Sequence, residues 1–234
     1  MPTFSIGYFV GSLASGSINR ILSKALIRLA PEELAFTEIP IRSLPLYSPD
    51  FDGDYPPEGR ALKQAIEASD GILFVSPEYN RSIPGALKNA IDWGSRPWGT
   101  NSFARKPTGI VGASPGGIGT AVMQSSMRSV LSFLDAPQLN SPEAYVRFDP
   151  AVFGPDGAVA DADTEAFLRH YMEEYAAFVE RVLAANAPGH IGDTDPGSLK
   201  GGGDRRRAFH RGRESECSGA DAAHGAGPEL ELVE

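Results

Sequence analysis

The stretch Gly71–Trp93 reads GILFVSPEYNRSIPGALKNAIDW, and its character changes abruptly at Ser76. A short apolar run, Gly71–Val75, is followed by turn-forming and hydrogen-bonding residues. An amphipathic helical pattern then begins near Pro84, a residue that suits the first turn of a helix because its missing N–H is not needed there. In open α/β sheets, ligands bind outside the carboxyl end of a strand. The segment 76–93 therefore predicts a ligand-binding junction between a buried strand and a helix.

Strand-like and helix-like patterns alternate on both sides of this segment. Strands are expected at Phe4–Val10, Phe36–Pro40, Gly71–Ser76 and Thr108–Ala113, with a weak strand at 137–139 that continues through 144–147. Helices are expected at Ile18–Leu29, Gly59–Ala68, Pro84–Trp93, Gly119–Leu134 and about 163–185. This alternation is typical of βαβ units. It predicts a flavodoxin-like, doubly wound parallel sheet of five strands in the order 2-1-3-4-5, with helices on both faces and the switch point between strands one and three.

Composition limits the possible functions. The chain has 234 residues, of which 41% are hydrophobic, and a net charge of −9, which disfavours nucleic-acid binding. No apolar run is long enough to span a membrane, and no signal peptide is recognised at the N-terminus. A single cysteine, Cys217, excludes an internal disulfide framework, fits a cytoplasmic location, and with four scattered histidines leaves no expected metal site.

The chain divides near residue 188. Residues 1–188 are expected to form one α/β domain, whereas residues 189–234 are rich in glycine and charge and lack apolar periodicity. Such a segment buries too little surface to offset its ordering entropy, so a disordered tail is predicted. The basic block Arg205–Arg207 within it is interpreted as solvated, because acidic residues surround it.

The segment after the first strand, Gly11–Arg20 (GSLASGSINR), joins that strand to a helix and is rich in Gly, Ser and Asn. Backbone N–H groups at a helix N-terminus, with hydroxyl groups beside them, form a phosphate-binding site. The segment also suits an ordinary turn in which Ser15 or Ser17 caps the helix. Its place at the switch point favours phosphate.

Two further segments complete the predicted site. In Pro77–Pro84, Tyr79 offers a planar face and Asn80 a paired donor and acceptor, which suits an aromatic ligand with imide-like edges. Glu78 is a possible general acid or base, but a lone carboxylate in a loop more often accepts hydrogen bonds from backbone. The third segment, Ser114–Gly119 (SPGGIG), has three glycines that allow backbone to approach a ligand. No Ser-His-Asp or Cys-His arrangement is found, so no catalytic side chain is predicted and the chemistry is assigned to a cofactor.

The sequences GSLASGSINR, PEYNRSIPGALKNAIDW and SPGGIG resemble those of the NADPH-dependent FMN reductase family, which includes bacterial quinone and chromate reductases. The resemblance covers about residues 3–185. It implies that FMN is bound by three groups of residues. These are Ser12, Ser15, Ser17 and Asn19 at the phosphate, Pro77, Glu78, Tyr79 and Asn80 flanking the ring, and Ser114, Gly116 and Gly117 closing its other edge.

The same resemblance implies a reaction: hydride passes from NAD(P)H to N5 of FMN and then to a small acceptor, namely a quinone, chromate, an azo compound or free flavin. The alternatives are a non-enzymatic flavodoxin-like electron carrier or flavin-binding regulator, and a relative that no longer holds FMN. Many relatives have arginine where this chain has Ala14, and Arg20 or Arg81 is a candidate replacement. A homodimer or homotetramer is implied, with Arg128 and Glu143 as a hypothetical ion pair between subunits.

Overall fold

A five-stranded parallel sheet forms the centre of the fold, and the computed structural model describes residues 3–187. The strand order is β2-β1-β3-β4-β5, which confirms the prediction. The central strand is buried along its whole length, because both faces of the sheet are covered. The strands are β1 (Phe4–Val10), β2 (Leu34–Glu38), β3 (Gly71–Val75), β4 (Thr108–Ser114) and β5 (Ala144–Arg147).

Five helices cover the two faces of the sheet. They are α1 (Ile18–Leu29), α2 (Pro57–Glu67), α3 (Gly85–Ser95), α4 (Ala121–Phe133) and α5 (Ala162–Asn186), and a short 3-10 helix spans Pro49–Phe51. Helices α1 and α5 pack on one face with Leu73 and Val75 of β3. Helices α2, α3 and α4 pack on the other face with Ile72 and Phe74. The alternation along β3 thus supplies two separate apolar cores.

The predicted element boundaries agree with the structure to within two residues at most positions. The main shift is in β2, which begins at Leu34 rather than Phe36, because Leu34 is buried and pairs with Phe4 of β1. The weak strand expected at 137–139 is reduced to one isolated bridge between Thr108 and Gln138, and the fifth strand is β5 itself.

The pairing of Arg128 with Glu143 occurs within one chain. The Arg128 Nε lies 3.8 Å from a carboxylate oxygen of Glu143, and Arg128 Nη1 donates to the Leu139 carbonyl and to Asn140 Oδ1, both at 3.1 Å. Arg128 of α4 and Glu143 of the loop before β5 are thus close within one chain. The hypothesis that they pair between subunits stays a prediction.

The predicted tail, residues 189–234, lies outside the described residues. Within residues 3–187, no helix combines the length and the apolar character that a membrane crossing requires.

Candidate functional site

Three loops meet at the carboxyl ends of β1, β3 and β4. We call residues 11–17 the first loop, 76–84 the second loop and 114–120 the third loop. The backbone N–H of Gly11 donates to the Val75 carbonyl at 2.9 Å, and that of Ser76 donates to the Val111 carbonyl at 3.0 Å. These bonds continue the sheet beyond the ends of β1 and β3. The parallel register therefore brings together the segments that the sequence predicts to bind a ligand.

The first loop has features of both a helix cap and an anion site. Ser17 caps α1, since its hydroxyl accepts from the Arg20 N–H at 3.3 Å, and the buried Ser12 hydroxyl accepts from the Ala14 N–H at 3.3 Å. Ser15 is exposed. Among the described residues, the N–H groups of residues 15–19 donate to no other protein group. A run of free N–H groups at a helix N-terminus favours an anion such as phosphate.

Asn19 connects α1 to β4. Its Nδ2 donates to the Ala113 carbonyl at 2.9 Å, and its Oδ1 accepts from the Ala113 N–H at 2.8 Å. The side chain is 1% exposed, so both bonds lie in the interior. Asn19 thereby fixes the start of α1, with its free N–H groups, against the end of the strand that leads into the third loop.

Glu78 connects the second loop to α4. Its Oε2 accepts from the N–H groups of Val122 at 3.1 Å and Met123 at 3.0 Å. These are first-turn N–H groups of α4, whose own N-cap residue, Thr120, provides no side-chain cap. The expectation that Glu78 accepts hydrogen bonds from backbone is confirmed. Asn19, at the start of α1, and Glu78, in the second loop, thus connect the elements that flank the three loops.

The tip of the second loop is a tight turn. The backbones of Tyr79 and Ser82 exchange two hydrogen bonds, of 3.1 and 3.0 Å. The central residues Asn80 and Arg81 have φ values of 50° and 63°, the signs found in a type I′ turn. Pro77 is half-buried, whereas Asn80 is exposed and Tyr79 is 49% exposed. The turn presents the ring and amide beside the open end of the sheet.

The third loop is closely packed at Gly119 and open to solvent at Gly117. Gly119 has a φ of 59°, and a Cβ there would lie 2.8 Å from the Tyr145 carbonyl carbon, so glycine is needed. The Ser114 hydroxyl accepts from the Gly116 N–H at 3.1 Å. A Cβ at Gly117 would meet nothing within 4 Å. The surface next to the backbone of Gly117 is therefore open. Partial burial and the nearby Glu143 carboxylate raise the pKa of Tyr145 to about 12.

The arginines near the first loop differ in their partners. The Arg20 guanidinium binds Glu38 through two bonds, of 2.7 and 2.9 Å, and the bond from Arg20 lowers the Glu38 pKa. Arg42, which follows β2, donates to the Leu13 carbonyl in the first loop. Arg42 is not among the residues predicted from the sequence. The predicted strand order indicates its position, because a residue just after β2 lies next to the end of β1.

A cavity lies away from the three loops. Its volume is about 660 Å³, and it is bounded by the C-terminal end of α1 and by α5. The lining side chains include Arg28, Glu32, Arg169 and Glu173, charges of both signs, so no single ligand charge is favoured. The described residues contain no group of three or more His, Cys, Asp or Glu that could hold a metal.

A doubly wound parallel sheet with the strand order 2-1-3-4-5 and three loops meeting at its switch point defines a flavodoxin-like α/β protein. Residues 4–151 match the family model described as NADPH-dependent FMN reductase. The chain belongs to the NADPH-dependent FMN reductase family and is an FMN-dependent NAD(P)H oxidoreductase. The free N–H groups of the first loop and the open space at Gly117 fit the phosphate and ring of FMN.

Relatives and solved structures agree with this assignment. The chain is 47% identical to a 2-hydroxy-1,4-benzoquinone reductase of Burkholderia sp., over 74% of this chain and 95% of that protein. It is 42% identical to a quinone reductase of Pseudomonas putida, over 76% and 95% respectively. Its structure is similar to that of the flavoenzyme NAD(P)H:(acceptor) oxidoreductase of Paracoccus denitrificans, with a TM-score of 0.74, 38% identity, and coverage of 76% and 98%.

Proposed function

We propose that this oxidoreductase reduces small quinones with NAD(P)H. The observation that carries the proposal is the apolar, aromatic rim around the open backbone of the third loop. Tyr79, Ile118 and Val122 are 49%, 51% and 37% exposed there. Planar, weakly charged acceptors suit such a rim better than a compact oxyanion such as chromate does, because apolar surface cannot replace the water around an oxyanion. The names of the two quinone reductase relatives support the same acceptor class.

We assign the predicted site residues three roles. Ser12, Ser15 and Ser17 bind the FMN phosphate together with backbone N–H groups of the first loop. Pro77, Tyr79 and Asn80 flank the ring, and Ser114, Gly116 and Gly117 bound its other edge. Asn19 and Glu78 are assigned as positioning residues, because both polar side-chain atoms of Asn19 bond to Ala113 and Oε2 of Glu78 accepts from two backbone N–H groups of α4.

The protein's part in the reaction is binding and orientation. When bound, FMN supplies the hydride chemistry between NAD(P)H and the acceptor. The N–H groups of the first loop would bind the phosphate. The bonds of Asn19 hold α1 against β4, and those of Glu78 hold the second loop against α4, so that the three loops would keep the ring in one orientation. Because Glu78 Oε2 already accepts from two backbone N–H groups of α4, we assign Glu78 no proton-transfer role.

Anaerobic mixing of the FMN-loaded protein with NADPH, followed by a panel of acceptors, tests the proposal. We expect the flavin absorbance to bleach with NADPH and to return on addition of benzoquinones. A rate constant for chromate or azo dyes higher than that for every quinone would contradict the proposed acceptor class. A flavin that stays oxidised with both NADPH and NADH would instead favour the electron carrier.

We further propose that residues 1–188 form the FMN domain and that the protein assembles as a homodimer or homotetramer. Exposed apolar side chains around the three loops support assembly at this end of the sheet, namely Leu13, Tyr79, Ile118, Val122 and Tyr145. Light scattering at several protein concentrations tests it, since a monomeric mass throughout would contradict assembly.

A cytoplasmic location is proposed because the reaction draws on NAD(P)H, and cell fractionation tests it.

A further inference from the structure

Arg42 carries a guanidinium group that is attached to the first loop and pairs with no carboxylate in the part of the chain that the structure describes. One of its N–H groups donates to the carbonyl of Leu13. No ion pair involves it among residues 3–187. A guanidinium has five N–H donors, so four remain available beside the free N–H groups of the loop.

The backbone after β2 fixes the position of Arg42. The N–H of Ile39 donates to the Tyr8 carbonyl at 2.9 Å, which extends the pairing of β2 with β1 by one residue. Ile39 and Ile41 are 2% and 6% exposed and belong to the core under α2 and α3. Pro40 and Arg42 alternate with them and are exposed. Burial of the two isoleucines therefore keeps Arg42 on the solvent side, next to the first loop.

The other two candidate arginines are less suited to this place. Arg20 is held by Glu38 in a two-bond pair, and releasing it would leave a half-buried carboxylate without its partner. Arg81 is exposed in the turn of the second loop, where Tyr79 and Asn80 are expected to contact the ring. Arg42 alone among the three combines an attachment to the first loop with free donors.

We propose that Arg42 binds a phosphomonoester group of the nucleotide at the first loop. The inference rests on the proposed FMN site and adds a specificity-determining residue to it. Two groups of the reaction have this chemistry: the 5′-phosphate of FMN and the 2′-phosphate of NADPH. Both are dianions that a guanidinium binds through paired hydrogen bonds. Riboflavin is FMN without the 5′-phosphate, and NADH is NADPH without the 2′-phosphate. Each phosphate group can therefore be tested against a matched ligand that lacks it.

The test compares Arg42→Gln with Arg81→Gln, which removes an exposed arginine from the same end of the sheet. Dissociation constants of FMN and riboflavin are measured with the apoprotein by flavin fluorescence, and KM values for NADPH and NADH with the FMN-loaded protein. If the partner is FMN, Arg42→Gln raises the FMN Kd roughly tenfold or more and leaves the riboflavin Kd within about twofold. If the partner is NADPH, its KM rises by a similar factor, while the KM for NADH and the FMN Kd do not change.

Arg42→Lys distinguishes charge from the forked geometry, and its loss is expected to be smaller than that of Arg42→Gln. The thermal midpoints of all variants should match the wild type, because the substituted side chains are exposed. Two ratios are compared: the Kd of FMN over that of riboflavin, and the KM of NADPH over that of NADH. If Arg42→Gln changes neither ratio more than Arg81→Gln does, the inference is overturned while the proposed function stands. A wild-type protein that binds no FMN overturns the proposed function as well, and that result is seen before any variant is compared.

Discussion

The carboxylate of Glu78 accepts a hydrogen bond from the backbone N–H of Met123 at 3.0 Å, across 45 positions of sequence. A second bond to the same oxygen comes from Val122 at 3.1 Å. The carboxylate thus caps a helix that has no side-chain cap of its own, and its negative charge lies at the positive end of the helix dipole. A side chain placed like an acid–base catalyst instead joins the second loop to α4.

Replacing Glu78 tests this role. Glu78→Ala removes the cap, so we expect the free energy of unfolding to fall by about 1–2 kcal/mol and FMN binding to weaken. Glu78→Gln keeps an oxygen acceptor and should lose less of both. Urea unfolding and flavin titration measure the two effects. With FMN saturating, Glu78→Gln should retain kcat within about threefold, because removing a general acid or base costs about a hundredfold or more. A larger loss with normal FMN binding would contradict the positioning role.

Asn19 provides a second test of how the loops are held. Asn19→Leu leaves the N–H and C=O of Ala113 without partners in the interior, so we expect a loss of about 2–4 kcal/mol in the free energy of unfolding. Ser15→Ala is the control, since Ser15 is exposed and should change stability by less than about 0.5 kcal/mol. FMN binding should weaken in both variants. Equal stability of Asn19→Leu and wild type would contradict the connection between α1 and β4.

The difference between Asn19 and Arg42 shows what the sequence does and does not reveal. The alternation of strands and helices predicted the sheet order, and the order predicted which loops meet, because each step depends on local patterns and general topology. The predicted contact of Asn19 with phosphate stays a prediction, whereas the two bonds of its side chain to Ala113, 94 positions away, were not predicted. Such a bond depends on the three-dimensional register of α1 against β4, which no local pattern encodes. Arg42 lies after the end of β2, outside any predicted element, and only the strand order together with its alternation with Ile39 and Ile41 brings it next to the first loop.

The Arg20–Glu38 pair predicts a dependence of stability on pH. The Glu38 pKa is lowered from 4.5, first by the hydrogen bond from Arg20, so the folded state favours the carboxylate. Its stabilisation is present above the unfolded pKa and disappears as the pH falls through the lower, folded value. The pair is partly exposed, so the effect should stay below about 1 kcal/mol. Wild type should be more stable than Glu38→Gln at pH 7, and the difference should shrink below about pH 4 in urea unfolding. A constant difference across that range would contradict the assignment.

The turn at Asn80 and Arg81 predicts a stabilising substitution. Arg81 has a φ of 63°, a conformation that costs a residue with a side chain about 1–2 kcal/mol and glycine much less. After the extra entropy of glycine in the unfolded chain, Arg81→Gly should gain about 0.5–1 kcal/mol in the free energy of unfolding. Arg81→Ala removes the same charge and keeps a Cβ, so it should give no gain. If both variants gain equally, loss of charge rather than backbone relief is the cause.

Substitutions at two glycines, Gly112 in β4 and Gly117 in the third loop, allow effects on folding and on ligand binding to be measured separately. A Cβ at Gly112 would lie 2.1 Å from the Ser76 carbonyl oxygen, whereas a Cβ at Gly117 would meet nothing within 4 Å. Gly112→Ala must therefore displace backbone, and we expect it to destabilise the fold by more than about 3 kcal/mol or to prevent soluble expression.

Gly117→Ala should leave the thermal midpoint unchanged. If FMN occupies the open space at Gly117, the added methyl group meets the ligand instead of the protein, and the FMN Kd should rise while stability without FMN does not change. Differential scanning fluorimetry of the apoprotein and flavin titration separate the two effects. A Gly117→Ala variant that binds FMN as tightly as wild type would show that the ligand lies elsewhere along the third loop.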